Sequence, residues 1–141
     1  MSRSTGRATL RLAVMAALIL AGCSKGGTIT PDEKPLIGKW QALAAATNSL
    51  QHTVELTLAS DHTYIERHIA RGGPSEGMST GRGTWSATGT EIHFNGTEVA
   101  GGLQPPAASG DHSYGYTLNG TTLIVERIAD GAGASMTQVA Q

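Results

Sequence analysis

Hydrophobic and polar residues alternate with a period of two along most of the chain after residue 36. Such alternation is typical of β-strands that bury one face. Outside the first 22 residues, no segment has the spacing of an amphipathic helix. The pattern predicts seven strands and a less regular eighth, at residues 38–46, 52–59, 63–70, 83–87, 90–95, 113–118, 121–128 and 134–140. It therefore predicts an all-β domain, either a sandwich or a single up-and-down antiparallel barrel that is closed or half-open.

The connections between these strands alternate in length. Three are tight turns, and the last of them, Asn119-Gly120, is a strong hairpin signal because both residues tolerate positive φ. His62 lies in another of them, where a histidine can adopt positive φ. The other three connections are longer, at residues 47–51, 71–82 and 96–112. In a meander the two kinds fall at opposite ends, which predicts a cup whose mouth faces away from the N-terminus.

The alternation also predicts which side chains face inward. Strand 52–59 buries Val54, Leu56 and Leu58, and the other inward residues include Trp40, Trp85, Ile92, Phe94, Tyr114, Tyr116, Leu118, Leu123 and Val125. Strand 63–70 leaves two alternatives. Either Ile65 and Ile69 face inward, which the pattern favours, or Tyr64, Glu66 and His68 do. In the second case these polar groups line a wet interior and are candidate ligand contacts, together with Tyr114 and Tyr116.

The first 22 residues have the features of an export signal. Three arginines precede an apolar run at residues 12–21, which is too short to cross a bilayer. Leu20-Ala21-Gly22-Cys23 follows and resembles the lipobox of bacterial lipoproteins. The alternative is an ordinary secretory signal with a chance cysteine. The resemblance implies a signal peptide at residues 1–22, a lipidated Cys23 with a flexible tether at residues 23–35, and a folded domain at residues 36–141.

The lipoprotein resemblance has consequences for location. Cys23 would carry a diacylglyceryl group and an N-acyl chain such as palmitate, and two or more chains anchor a protein stably in a membrane. Ser24 stands where an aspartate would signal inner-membrane retention, so we expect the periplasmic face of the outer membrane if the organism has two membranes. Without the leader, seven basic residues face eleven acidic ones, a net charge of −4. Nucleic-acid binding needs a basic surface, so we expect none.

The order of several short motifs resembles the small lipocalin-like domains of bacterial lipoproteins. Residues 36–40 read Leu-Ile-Gly-Lys-Trp, residues 60–64 read Ser-Asp-His-Thr-Tyr, residues 83–86 read Gly-Thr-Trp-Ser, and residues 116–123 end in a Leu-Asn-Gly-Thr-Thr-Leu hairpin. The resemblance implies a small barrel in which Gly38 and Trp40 close one end. It also implies that an arginine from a late strand, here Arg127, packs over the indole of Trp40.

The residues that could carry catalysis or bind a metal form no convincing set. Five histidines are spread along the chain, and the only cysteine is Cys23. A group of His52, Glu66 and His68 is conceivable, but the spacing predicts no metal site. We expect no cofactor and no enzymatic activity. The sequence favours binding of a small apolar or amphipathic molecule. The alternative is a solid-cored structural or protease-inhibitor-like lipoprotein whose loops at residues 71–82 and 96–112 contact another envelope protein.

Overall fold

Eight antiparallel strands form a closed barrel in which each strand pairs with the next and the last pairs with the first. This confirms the predicted up-and-down fold. The computed structural model describes residues 27–47, 50–73, 76–102, 110–128, 131 and 133–140, so the predicted leader and Cys23 lie outside it. The strands are β1 (Gly38–Thr47), β2 (Leu50–Leu58), β3 (Thr63–Arg71), β4 (Gly77–Ala87), β5 (Glu91–Gly101), β6 (Gly110–Asn119), β7 (Thr122–Arg127) and β8 (Gly133–Val139).

The two ends of the barrel differ in their connections. At one end, which we call the base, the chain enters β1 and makes the tight turns β2–β3, β4–β5 and β6–β7. His62 has φ 63° and Gly120 has φ 58°, as the turn chemistry predicts. The opposite end, the mouth, holds the connections β1–β2, β3–β4, β5–β6 and β7–β8. Among the described residues, no helix is long and apolar enough to cross a bilayer.

The strands extend further toward the mouth than predicted. β4 begins at Gly77 instead of residue 83, and β5 continues to Gly101 instead of residue 95. Most of the predicted loop 71–82, and much of the predicted loop 96–112, is therefore strand. Only two residues separate β1 from β2, so that predicted longer loop is also wrong. The glycines and small polar residues of these stretches resemble loop sequence, but pairing between β4 and β5 continues to Ser79 opposite Gly101.

Large side chains fill the base of the barrel. Trp40 is fully buried, and its indole N–H donates to the Leu36 carbonyl at 2.8 Å. Trp85 is buried too, and its indole N–H donates to the Ala59 carbonyl at 3.0 Å. Both indoles thus bury a large apolar area without leaving a polar atom unpaired. Leu36, in a 3₁₀ turn (Lys34–Leu36) before β1, is also fully buried and closes this end.

The segment just before β1 is part of the fold, which begins earlier than the predicted boundary at Leu36. Glu33 is buried, and its carboxylate accepts hydrogen bonds from the backbone N–H of Thr30 at 2.8 Å and of Ala87 at 3.2 Å. It also lies 3.2 Å from His62 Nε2 in the β2–β3 turn. Burial alone raises the pKa of Glu33, but these hydrogen bonds together hold its pKa below the usual value.

Glycine creates room on the inner face of β4. A Cβ at Gly83 would lie 1.9 Å from the Asn95 carbonyl oxygen and 2.9 Å from Cε1 of Tyr64. The register between β4 and β5 also shifts by one residue between Arg82 and Gly83, which brings the two backbones close. A side chain at position 83 would therefore displace the Tyr64 ring that covers this glycine.

Candidate functional site

The upper half of the barrel contains a cavity of about 240 Å³. Eight-stranded barrels are just wide enough either to be filled by side chains or to hold one small molecule. Here the inward-facing positions above the base leave part of the interior unfilled. Among the described residues, the cavity is lined from six strands, β2, β3, β5, β6, β7 and β8. No described lining residue comes from β1 or β4, and the inner face of β4 carries Gly83 beside Tyr64. The lining residues are Val54, Leu56, Tyr64, Glu66, His68, Phe94, His112, Tyr114, Val125, Arg127, Gly133, Ala134 and Met136.

Strand β3 supplies the polar side of the cavity. The register pairs Val54 with His68 and Leu56 with Glu66, so these four side chains share the inner face of the barrel. The preferred sequence interpretation, with Ile65 and Ile69 inside, is therefore wrong, and the alternative holds. Glu66 Oε1 lies 2.9 Å from His68 Nε2. The two groups satisfy each other and remain partly exposed, which explains how an acid and a base occur inside a barrel.

The opposite wall is apolar. Val125 on β7 and Met136 on β8 are buried, and Ala134 is partly buried beside them. The small side chain of Ala134 leaves space on this wall. Because Glu66 and His68 face these residues across the lumen, the cavity has one polar and one apolar side. A molecule in it would therefore contact both hydrocarbon and hydrogen-bonding groups.

Tyr64 lies at the inner end of the polar side. Its ring meets Phe94 edge-on, with ring centroids 4.8 Å apart, and only 2% of the residue is exposed. Its hydroxyl oxygen is buried and has no hydrogen-bond partner among the described residues. Burial, reinforced by the nearby Glu66 and Tyr114, raises the pKa of Tyr64 to about 12. The phenol therefore keeps its proton at any physiological pH.

Aromatic rings continue from Tyr64 toward the mouth. Phe94 stacks on His112 with ring centroids 5.5 Å apart, and Tyr114 contacts both rings edge-on. Tyr114 thus lies in the cavity wall, as predicted. Tyr116 does not. Its hydroxyl donates to the Thr88 carbonyl at 3.0 Å in a turn at the base, so it is excluded from the candidate site.

Arg127 has a different place from the one that the lipocalin resemblance implies. It is the last residue of β7 and pairs with Tyr114 near the mouth, whereas Trp40 pairs with Gln138 near the base. Six residues of extended strand, roughly 20 Å, separate these levels. The predicted stacking of Arg127 on Trp40 is therefore wrong. Arg127 instead belongs to the rim of the cavity, a position that alternation along β7 would have indicated.

Gly38 and Trp40 lie at the base, where Trp40 is fully buried. Gly38 has φ 144°, a conformation that strongly favours glycine, and a Cβ there would lie 3.1 Å from the Gln138 side-chain nitrogen. This geometry lets β1 turn in from Ile37 and pair with β8. The base therefore supports the cavity from below without contributing to its lining.

The structure brings together His52, Glu66 and His68, the group that the sequence suggested as a conceivable metal site. The rings of His52 and His68 meet edge-on at 6.5 Å, and His68 pairs with Glu66. However, among the described residues no three histidine, cysteine or acidic side chains are grouped closely enough to hold a metal ion. The arrangement is that of a hydrogen-bonded polar patch beside an apolar cavity.

The chain matches no protein-family model and no curated protein.

Proposed function

We propose that this chain is a lipid-anchored protein of the bacterial cell envelope whose barrel binds a small apolar or amphipathic molecule. The cavity between β3 and β8 is the observation that carries the binding proposal. Its wall is mostly hydrocarbon and aromatic, with a few polar groups on one side, which is the usual composition of a small-molecule site. A solid-cored barrel would have filled the space beside Ala134 with a larger side chain.

The volume limits what the cavity can hold. A dry cavity of about 150 Å³ accepts benzene, so about 240 Å³ suits a molecule on the order of ten non-hydrogen atoms. A long fatty-acid chain exceeds this size unless most of it stays outside. We therefore propose a single-ring compound or a short-chain amphiphile. Its apolar part would lie against Leu56 and Met136, and any charged group would lie toward His68 and Arg127.

The binding test compares a variant that fills the cavity with one that does not. Ala134→Phe places a ring in the lumen, while Ser135→Phe, one residue further along β8, places the same ring on the exposed outer face. Using the full chain with Cys23→Ser, so that no acyl chain occupies the cavity, we expect isopropylbenzene to bind the wild-type cavity and Ser135→Phe, but not Ala134→Phe. Nuclear magnetic resonance titration measures the affinities. No binding to the wild-type barrel would refute the proposal.

The anchoring proposal rests on the lipobox-like sequence ending at Cys23 and has its own test. Labelled palmitate supplied to cells should be incorporated into the wild-type protein and not into Cys23→Ser. Fractionation should place the wild-type protein in the envelope, in the outer membrane if there are two. The chain enters β1 at the base, and Glu33 before it contacts His62 and Ala87 at that end. The proposed anchor would therefore leave the mouth facing away from the membrane.

A second candidate function, contact with another envelope protein, is favoured by one observation on the outer wall. Leu43, Thr53, Ile69 and Met78 are paired in register across β1, β2, β3 and β4. Leu43 is 80% exposed and Met78 is 51% exposed, so three apolar side chains and one threonine cross this wall in a row. A photo-crosslinking residue at Met78 should then capture one partner in cells, and the same residue at Ser86 should not. An unchanged pattern in Leu43→Ser would contradict this candidate.

A further inference from the structure

The hydroxyl of Tyr64 is not needed to hold the side chain in place. The ring packs on Phe94 at 4.8 Å and covers Gly83, whose missing Cβ gives it room. A phenylalanine would make both contacts. The hydroxyl oxygen adds a polar atom that is buried and finds no hydrogen-bond partner among the described residues. Buried polar groups without partners are rare in folded proteins, so this one calls for an explanation.

The surroundings of the hydroxyl determine which kind of partner suits it. Tyr64 lines the cavity at the end nearest the base, and its oxygen is shielded from bulk solvent. Its raised pKa, about 12, means that it offers a proton and is not an anion. An acceptor at the inner end of the cavity would therefore meet a donor for which bulk water does not compete.

The charge of Glu66 further restricts the acceptor. Glu66 is two residues along β3 on the same inner face, and its negative charge contributes to the raised pKa of Tyr64. The same charge disfavours a second anion beside the phenol. A carboxylate or phosphate oxygen is thus a poor partner at this end, and an uncharged oxygen is a good one. Anionic groups would be better placed near Arg127 at the rim.

We propose that the cavity selects neutral molecules that carry a hydrogen-bond acceptor, such as a ketone, ester or ether oxygen, at the end that enters first, and that Tyr64 donates to it. This proposal rests on the proposed binding function and adds the class and orientation of the ligand. Glu66 and His68 hold each other in place beside the donor, and the apolar wall of Val125 and Met136 receives the hydrocarbon part.

The test uses two probes of the same shape. Acetophenone and isopropylbenzene have the same number of non-hydrogen atoms and differ in having a carbonyl oxygen or a methyl group. Their dissociation constants are measured on the full chain with Cys23→Ser, alone, with Tyr64→Phe and with Tyr116→Phe. Tyr116 is the matched control because its hydroxyl lies at the base, outside the cavity.

We expect Tyr64→Phe to weaken acetophenone relative to isopropylbenzene by about three- to tenfold, the value of one hydrogen bond, and Tyr116→Phe to leave the ratio unchanged. An unchanged ratio in Tyr64→Phe, with both probes still bound, would overturn this inference and leave the binding function intact. If neither probe binds the unsubstituted barrel, both proposals are refuted.

A second measurement needs no substitution at Tyr64. The carbonyl stretching frequency of bound acetophenone reports hydrogen bonding directly. We expect it to be lower than in hexane, because the phenol donates to the oxygen. A frequency equal to that in hexane would show a carbonyl without a donor and would overturn the proposal even if Tyr64→Phe does not fold.

Discussion

The base and the mouth of this barrel are built from the same strands but differ in how completely they are packed. At the base, Trp40, Leu58 and Trp85 are almost wholly buried, and the indole N–H groups of the two tryptophans have acceptors. Toward the mouth, the same strands enclose a cavity with a Glu66–His68 pair whose side chains are 21% and 14% exposed, and with a Tyr64 hydroxyl that has no partner among the described residues. Dense packing stabilises a fold. The base therefore contributes more to stability than the mouth, where the cavity leaves part of the interior unfilled.

The sharpest test of this difference uses two leucines on β2. Leu58 is 1% exposed at the base, while Leu56 is 5% exposed and borders the cavity. We expect Leu58→Ala to lower the free energy of unfolding by about 3–5 kcal/mol and Leu56→Ala by about 2–3 kcal/mol, because truncation at the cavity removes fewer close contacts. Urea unfolding of the full chain measures both. Equal losses would show that the cavity wall is as tightly packed as the base.

The buried carboxylate of Glu33 joins the segment before β1 to the base. Glu33→Gln removes its charge and weakens its bonds to Thr30, His62 and Ala87, so we expect a loss of about 1–3 kcal/mol at pH 7. Glu98→Gln, an exposed acid at the mouth, is the matched control and should change stability little. Circular dichroism during urea unfolding gives both values. A loss no larger than that of the control would mean that the segment does not contribute to stability.

The same carboxylate predicts a pH dependence. The pKa of Glu33 is lower in the folded chain than its ordinary value of 4.5. Its stabilisation is therefore complete above that ordinary value and is lost as the pH falls through the lower folded pKa. The difference between wild type and Glu33→Gln should shrink on acidification below pH 4.5. Asp61, whose pKa is lowered by hydrogen bonds from Thr63, leaves some acid sensitivity in the variant.

At position 62 in the β2–β3 turn, glycine should give a more stable protein than alanine, the reverse of the order expected within a strand. His62 has φ 63°, a conformation that costs most residues with a Cβ about 1–2 kcal/mol. His62→Gly and His62→Ala both lose the contact with Glu33, but only alanine adds this backbone cost. We expect the alanine variant to be less stable by about 1 kcal/mol, measured by thermal unfolding. In an ordinary strand position alanine would be the more stable of the two.

Local signals in the sequence were enough to predict the base. The pattern placed Trp40, Leu58 and Trp85 inside, where they are buried, and the turn residues His62 and Gly120 have the predicted backbone conformation. These features depend on neighbours within a few residues. The predicted alternation of short and longer connections holds only in part, because two residues separate β1 from β2 at the mouth and four separate β2 from β3 at the base.

The mouth could not be predicted in the same way. The inner face of β3 carries Glu66 and His68 and its outer face carries Ile65 and Ile69, so a rule that buries the more apolar face fails where the interior is a wet cavity. Gly83 is needed in β4 because a Cβ there would meet the Asn95 carbonyl and the Tyr64 ring, contacts between strands that composition does not reveal. The buried role of Glu33 is equally non-local, since its partners include Ala87 on β4.

The smallest expected effects come from two tyrosine hydroxyls, and they should differ in sign. At the base, Tyr116 donates to the Thr88 carbonyl at 3.0 Å, so Tyr116→Phe should lower the free energy of unfolding by about 0.5–1 kcal/mol. In the cavity, the Tyr64 hydroxyl has no partner among the described residues, so Tyr64→Phe should be neutral or stabilise by a few tenths of a kcal/mol. Urea unfolding with global fitting of the two variants resolves such differences. A clear loss in Tyr64→Phe would mean that its hydroxyl is bonded in solution, and the contrast between the bonded Tyr116 hydroxyl at the base and the Tyr64 hydroxyl in the cavity would then fail.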